Sequence, residues 1–200
     1  MKVIKYDTEE EWLADRRGKV TGTKAGKLKA KRGGYLKGFY ELIAEKVSLP
    51  DTEENRMARG KRLEESAVDR FSKETGKELE YNKVLCLRDD DNDIAFSPDA
   101  LITAENASVE VKCLAGASHI QAYIEQCIPD EYLAQALQPF CVNDDQNVLY
   151  FVFYNPECVI DFFYLTLTRE EYSEAIETQL REQKEILTKV REYEKQFMPL

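Results

Sequence analysis

Two apolar runs near the carboxyl end restrict the possible folds more than any other feature of the chain. Val148-Leu149-Tyr150-Phe151-Val152-Phe153-Tyr154 and Val159-Ile160-Asp161-Phe162-Phe163-Tyr164-Leu165 are dense in β-branched and aromatic residues, and Asn155-Pro156 separates them. Such side chains pack well on a pleated surface, so the runs predict two strands joined by a turn. A second layer follows directly. Thr168-Arg169-Glu170-Glu171 forms a capping box, and Tyr172, Ile176, Leu180, Leu187, Val190 and Phe197 recur at helical spacing, predicting a long amphipathic helix from Thr168 onward.

Other elements alternate between the two periodicities. Thr8 followed by Glu9, Glu10 and Glu11 starts a short helix, the acids suiting its positive end. Leu36, Phe39, Tyr40, Ile43, Ala44 and Val47 mark a core-facing helix over 35–47, which Ser48-Leu49-Pro50-Asp51 ends. A further helix is predicted from about Asn55 to Thr75, with Leu63, Ala67, Val68 and Phe71 inside and Gly76 as its stop. Short strands follow at Val84-Leu85-Cys86-Leu87, Ile94-Ala95-Phe96, Ala100-Leu101-Ile102 and Ser108-Val109-Glu110-Val111-Lys112-Cys113. Helices are expected again from Ser118 to Cys127 and from Asp130 to Val142, the latter carrying Tyr132, Gln135 and Gln138 on adjoining faces. The acidic turn Asp89-Asp90-Asp91-Asn92-Asp93 lacks the glycine and terminal glutamate of an EF-hand loop and reads as a solvated turn. The sum is an α/β fold, a central mixed β-sheet flanked by α-helices, and 200 residues form a single domain over 1–200.

No apolar stretch approaches the roughly 20 residues needed to cross a bilayer, and the amino end turns acidic at Asp7, so a cytoplasmic protein without membrane contact is expected. The five cysteines, Cys86, Cys113, Cys127, Cys141 and Cys158, are odd in number and include no Cys-x-x-Cys pair, which argues against disulfides and zinc. A net charge of −10 alone disfavours nucleic acid. Its distribution does not: from Arg16 to Tyr40 there is no acid, and Arg16, Arg17, Lys19, Lys24, Lys27, Lys29, Lys31, Arg32 and Lys37 supply nine positive charges, leaving −19 on the rest. The alternative is a solvated lysine-rich loop.

Ser97-Pro98-Asp99 and Glu110-Val111-Lys112 both fall on or beside predicted strands. Strand alternation places Glu110 and Lys112 on one face and Val111 in the core. With Asp99 alongside, two carboxylates and the Val111 carbonyl form an oxygen-rich pocket suited to Mg²⁺ or Mn²⁺, two ions per site if a further acid joins, for which Glu64 is the candidate. Lys112 would orient or help deprotonate a water. This combination suits phosphodiester hydrolysis. Glu-x-Lys by itself is weak, since Glu182-Gln183-Lys184 repeats it by accident, and Glu110 with Lys112 could equally form an exposed salt-bridged stripe.

Five motifs in order strengthen the reading: Trp12-x-x-x-Arg16 with Thr21-Gly22-Thr23, Gly60-x-x-x-Glu64, Ser97-Pro98-Asp99, Glu110-Val111-Lys112-Cys113, and Tyr132-Leu133-Ala134-Gln135. Over about Glu11 to Tyr172 the chain resembles the lambda-exonuclease-like (YqaJ-type) viral recombinase family, within the PD-(D/E)XK nuclease superfamily. The resemblance implies a restriction-endonuclease-like core and catalytic roles for Asp99, Glu110, Lys112, Glu64 and Gln135, with Asp99, Glu110, Glu64 and the Val111 carbonyl as metal ligands. It further implies that Arg16, Thr21, Thr23 and Ser97 meet the 5′-phosphate or nearby backbone. Tyr132 and Arg32 are placed with these DNA contacts, and Met57 matches a strand-parting wedge. Gln135 would bond the scissile phosphate or its water.

The implied activity is 5′→3′ degradation of linear double-stranded DNA, releasing 5′-mononucleotides and leaving a 3′ single strand for an annealing protein, by a homotrimeric ring around the DNA. Gly116-Ala117-Ser118-His119 stands where the family's best-known member carries an arginine, so the phosphate pocket is either weaker or completed by His119 or a basic-loop residue. The rival readings are a non-catalytic DNA-end-binding recombination module and a RecB-like or Cas4-like single-strand nuclease, whose iron–sulfur versions need a cysteine spacing that is not met here.

Overall fold

Strand pairing begins at the amino terminus, where Lys2–Lys5 (β1), a segment the apolar pattern did not mark, finds an antiparallel partner in Val84–Leu87 (β2). The computed structural model describes residues 1–30, 35–36, 38–39, 42, 45, 57–81, 83–114, 116–156, 158 and 160–198, without the side chains of 57–62, 116–118, 120 and 121. After β1 come helices Glu9–Arg16 (α1), Gly22–Ala25 (α2) and Met57–Thr75 (α3). Then follow β2, Ala95–Phe96 (β3), Ala100–Ile102 (β4), a 3₁₀ turn at Thr103–Glu105, and Ala107–Lys112 (β5). Gly116–Glu125 (α4), Asp130–Val142 (α5), Val148–Tyr154 (β6), Phe162–Thr168 (β7) and Ser173–Phe197 (α6) complete the order.

The described strands form two sheets, β1-β2-β3 and β4-β5-β6-β7. Within the second, β5 and β6 run parallel and the other pairs antiparallel, the mixed sheet expected. A parallel pair needs a long crossover, and α4 and α5 supply it. Ala67, Val68 and Phe71 of α3 pack with Val109, Val111 and Val152. Leu137 and Phe140 of α5 pack with Leu149, Phe151, Phe153 and Leu167. Alternation along β5 and β6 therefore separates an α3 face from an α5 face. Burying Phe71 fully, edge-on to Tyr164 at 5.2 Å, anchors α3.

Several boundaries differ from expectation. The second apolar run is strand from Phe162, after a bond from Asn155 N–H to the Asp161 carbonyl; its first residue, Val159, lies outside the described residues. The capping-box bond forms, Glu171 N–H donating to Thr168 Oγ1 at 3.3 Å, yet α6 starts at Ser173. Phe197 is exposed in the last turn, while Ile186 is buried instead. In the helix predicted over 35–47, Phe39 and Leu42 are buried but Leu36 is exposed; Tyr40, Ile43, Ala44 and Val47 lie outside the described residues. So do Arg32 and the first two residues of the Asn55–Thr75 prediction. Gly76 stops α3 at φ 67°, a left-handed conformation favouring glycine. The acidic turn is held rather than merely solvated: Arg191 donates to Asp91 and Asp93, and Lys184 donates to Asp90. No helix among the described residues is long and apolar enough to cross a membrane.

Candidate active site

Glu110 pairs in register with Phe151, so it shares the α5 face of the sheet, and Lys112 follows two residues on. Their tips meet as the strand period requires: Lys112 Nζ donates to Glu110 Oε1 at 2.6 Å. Gln135, on the facing helix α5, donates to the same oxygen. Asp99 lies just before β4, where its backbone N–H donates to the Val109 carbonyl at 3.1 Å and its Oδ2 accepts from Val111 N–H at 2.6 Å. A motif ten residues away is thus stitched directly to β5.

Electrostatics mark this cluster. Burial raises the Asp99 carboxyl well above the usual aspartate range, and the negative Glu110 and Glu64 raise it further against the opposing effect of Lys112. Burial alone would lower the Lys112 ammonium, but Glu110 and Asp99 outweigh it and hold it above the ordinary lysine value. The balance favours the charged ammonium that donates to Glu110. Burial also lowers the Arg16 guanidinium, partly offset by Glu110 and Asp99.

The donor set is hard oxygen, which suits Mg²⁺ or Mn²⁺. Among the described residues no three acid, histidine or cysteine side chains are arranged to hold an ion by themselves. An ion here would take Asp99, Glu110 and the Val111 carbonyl, with Glu64 approaching from α3 as an outer acid. Crowded acids that keep Asp99 protonated to a higher pH fit a cation, because a positive charge removes the repulsion.

A small cleft joins this cluster to the first motif. Arg16, Gly22, Thr23, Ser97, Glu110 and Gln135 line it. Trp12 supports two of them: its ring lies 4.4 Å beneath the Arg16 guanidinium, and its Nε1–H donates to Ser97 Oγ at 3.0 Å and to the Val84 carbonyl at 3.1 Å. Gly22 is where α2 meets α5, and a Cβ there would sit 2.9 Å from Gln135 Cγ. Neither contact was legible beforehand; for Trp12 and Gly22 alike the only signal was their place in the first motif.

Other predicted residues lie elsewhere. Thr21 is buried and does not line the cleft; its hydroxyl is 3.2 Å from that of Thr23, so it braces Thr23. Tyr132 places its ring 5.3 Å from Lys112 Nζ, a cation–π contact with the lysine. Met57 begins α3, its side chain outside the described set. His119 does not complete a phosphate pocket. It is fully buried, its Nε2 2.8 Å from the Ile160 carbonyl and its ring edge-on to Phe163. The basic stretch is partly neutralised, since Lys19, Lys24 and Lys29 pair with Asp15, Glu45 and Glu185. All five cysteines are free, although Cys127 is exposed; burial pushes the Cys113 thiol to about 11, so it is not a reactive thiolate.

The YqaJ-like viral recombinase domain model matches residues 11–144, two thirds of the chain. The chain belongs to that family. All the motif residues of the cleft fall inside this YqaJ-like segment, while β6, β7 and α6 lie beyond it. The fold is similar to that of LHK-Exo, an alkaline exonuclease from Laribacter hongkongensis, with a TM-score of 0.77 at 23% identity over 94% of this chain and 97% of that one. The same exonuclease in complex with dAMP gives 0.78 at 25% identity, covering 94% and 96%. A phage-related exonuclease from Haemophilus somnus 129PT gives 0.63 at 14% identity, covering 88% and 96%. These likenesses establish the PD-(D/E)XK-like α/β fold. No match was found among curated proteins.

Proposed function

We propose that the chain is a metal-dependent 5′→3′ exonuclease on linear double-stranded DNA, releasing 5′-mononucleotides and leaving 3′ single-stranded tails for recombination by strand annealing. One observation carries the reading: the Glu110 carboxylate receives Lys112 and Gln135 together, beside an Asp99 tied to the same strand. The exonuclease fold and the family support it. Asp99, Glu110, the Val111 carbonyl and Glu64 would hold Mg²⁺ or Mn²⁺, two ions in the full site. Bound there, the cation supplies Lewis acidity at the scissile phosphate and offsets charge on the leaving oxygen.

The chain's own groups do the rest. Lys112, kept charged by its acids, offers a donor to negative charge that grows during attack. Gln135 orients the phosphate or the attacking water, whose oxygen bonds to phosphorus as the P–O3′ bond breaks and the 3′ oxygen takes a proton. Arg16, with Thr23 and Ser97 in the same cleft, takes the terminal 5′-phosphate, and its ring support from Trp12 keeps the guanidinium aimed. A homotrimeric ring with an acidic exterior would thread DNA rather than adsorb it, and a single-strand annealing protein would receive the product.

End-labelled linear, closed-circular and single-stranded DNA, each with Mg²⁺ or EDTA, test this. Release of 5′ label from linear duplex with Mg²⁺ alone is expected; cutting of closed circles would make it an endonuclease. Lys112→Ala should lower kcat by about 10²-fold or more, and full activity in that variant removes the mechanism. Light scattering on the eluted protein that shows only monomer, with and without DNA, removes the ring.

A further inference from the structure

Behind the cleft, a buried amide ties three elements together. Gln138, fully buried one turn beyond Gln135 on α5, donates through Nε2 to the Val20 carbonyl at 3.1 Å and to the Ala95 carbonyl at 3.1 Å. Val20 leads into the Thr21-Gly22-Thr23 turn, and Ala95 leads into Phe96 and Ser97. These two segments also bond each other, Ala95 N–H donating to the Val20 carbonyl at 2.9 Å. The amide cannot turn over. Its Oε1 accepts from Gln183 Nε2 at 2.6 Å and from Gln179 Nε2 at 3.1 Å, both on α6. Reversing it would set an oxygen against two carbonyls and an NH₂ group against two donors, all in the interior, where unpaired polar groups are costly.

We propose that Gln138 is a positioning residue for DNA-end cleavage: oriented by Gln179 and Gln183, it sets Thr23 and Ser97 in register with Gln135 and Glu110. This deepens the exonuclease reading and rests on it. The C-terminal helix thereby takes part in the site without touching DNA. A simple packing role does not call for this arrangement, since an apolar side chain would fill the same space without five directed hydrogen bonds, the fifth running from Gln138 Nε2 to Gln183 Oε1 at 3.3 Å, and the two carbonyls Gln138 meets both precede cleft residues.

Two variants test it. Gln138→Met keeps the volume and removes every amide bond, and Gln183→Met removes the partner that fixes the orientation while leaving Gln138 in place. Kinetics on 5′-phosphorylated linear duplex, well below each variant's thermal transition, are compared with amide hydrogen exchange. Positioning predicts kcat lower by roughly tenfold in Gln138→Met and by less in Gln183→Met, since sub-ångström misplacement already slows reaction. Exchange should quicken selectively over residues 19–25 and 94–97. Wild-type kcat in Gln138→Met, or exchange that rises evenly across the chain, overturns the inference. Arg16→Ala, measured on phosphorylated and hydroxyl ends, separates the two levels. If it loses the phosphate preference while Gln138→Met behaves as wild type, only this inference fails; a wild-type chain that cuts no DNA end removes the exonuclease reading.

Discussion

Gly22→Ala should damage catalysis far more than folding. An added Cβ would stand 2.9 Å from Gln135 Cγ and 3.3 Å from the Gln135 carbonyl oxygen, the first half an ångström short of the 3.4 Å at which ordinary contact begins. Glycine is needed here for space, because its φ is not among the positive ones. Relief can come from α2 lifting off α5 or from the Gln135 side chain swinging aside. The first moves Thr23 in the cleft, and the second breaks the bond from Gln135 to Glu110. Overpacking of this kind costs about 1–3 kcal/mol of stability, whereas misplacing a reacting group by up to 1 Å lowers kcat by about 10- to 100-fold. Calorimetry and mononucleotide release from 5′-phosphorylated duplex with Mg²⁺ measure the two effects on one preparation. A variant with unchanged kcat would refute the seating of the Thr21–Thr23 turn on Gln135.

Three further outcomes are expected. Asp99 holds its proton more tightly folded than unfolded, so the stability it contributes is full below the ordinary aspartate value of 3.8 and is lost as pH rises through its raised value. Asp99→Asn, stripped with EDTA, should therefore lose less stability than wild type as pH rises from 3.8 through that raised value, and Mg²⁺ should raise Tm in wild type but much less in the variant; parallel Tm profiles would count against crowded acids at this site. Trp12→Phe keeps a ring under Arg16 but removes the donor to Ser97, so about 1 kcal/mol of stability should go together with part of the preference for 5′-phosphorylated ends; an unchanged preference would leave Ser97 without a phosphate role. Phe71→Ala empties a fully buried site against Tyr150 and Tyr164. A loss of about 3–5 kcal/mol in urea unfolding is expected, and under 1 kcal/mol would show that α3 is not anchored there.

Local patterns were readable wherever the physics is local. The span Asp130–Val142 was legible to the residue, since Pro129 ends one segment and the apolar spacing sustains the next. Val148–Tyr154 was equally plain, because side chains of that shape suit little else. The helix cap at Thr8 was similarly clear, its Oγ1 accepting from Glu11 N–H at 3.2 Å. β1 was not marked, because four residues with lysines at both ends carry little pattern and become a strand only beside β2. For His119 the sequence left open whether it completes a phosphate pocket, and only packing against Phe163 and the Ile160 carbonyl shows it to be interior.

The order of residues by itself determined which groups could share a face: Glu110 with Lys112 through the two-residue strand period, and Tyr132 near Gln135 through the helical one. It also supplied the inventory of acids, cations and amides from which a phosphodiester-cutting site could be assembled. Tertiary structure alone decided that α5 lies over β5 so that Gln135 reaches Glu110, that Trp12 lies under Arg16, and that Gln179 and Gln183 orient Gln138 from a helix some forty residues away. Those contacts depend on how layers dock, which is set by the summed burial of many apolar side chains. No single residue or spacing encodes that sum, so it becomes visible only when the sheet and its helices have closed on one another.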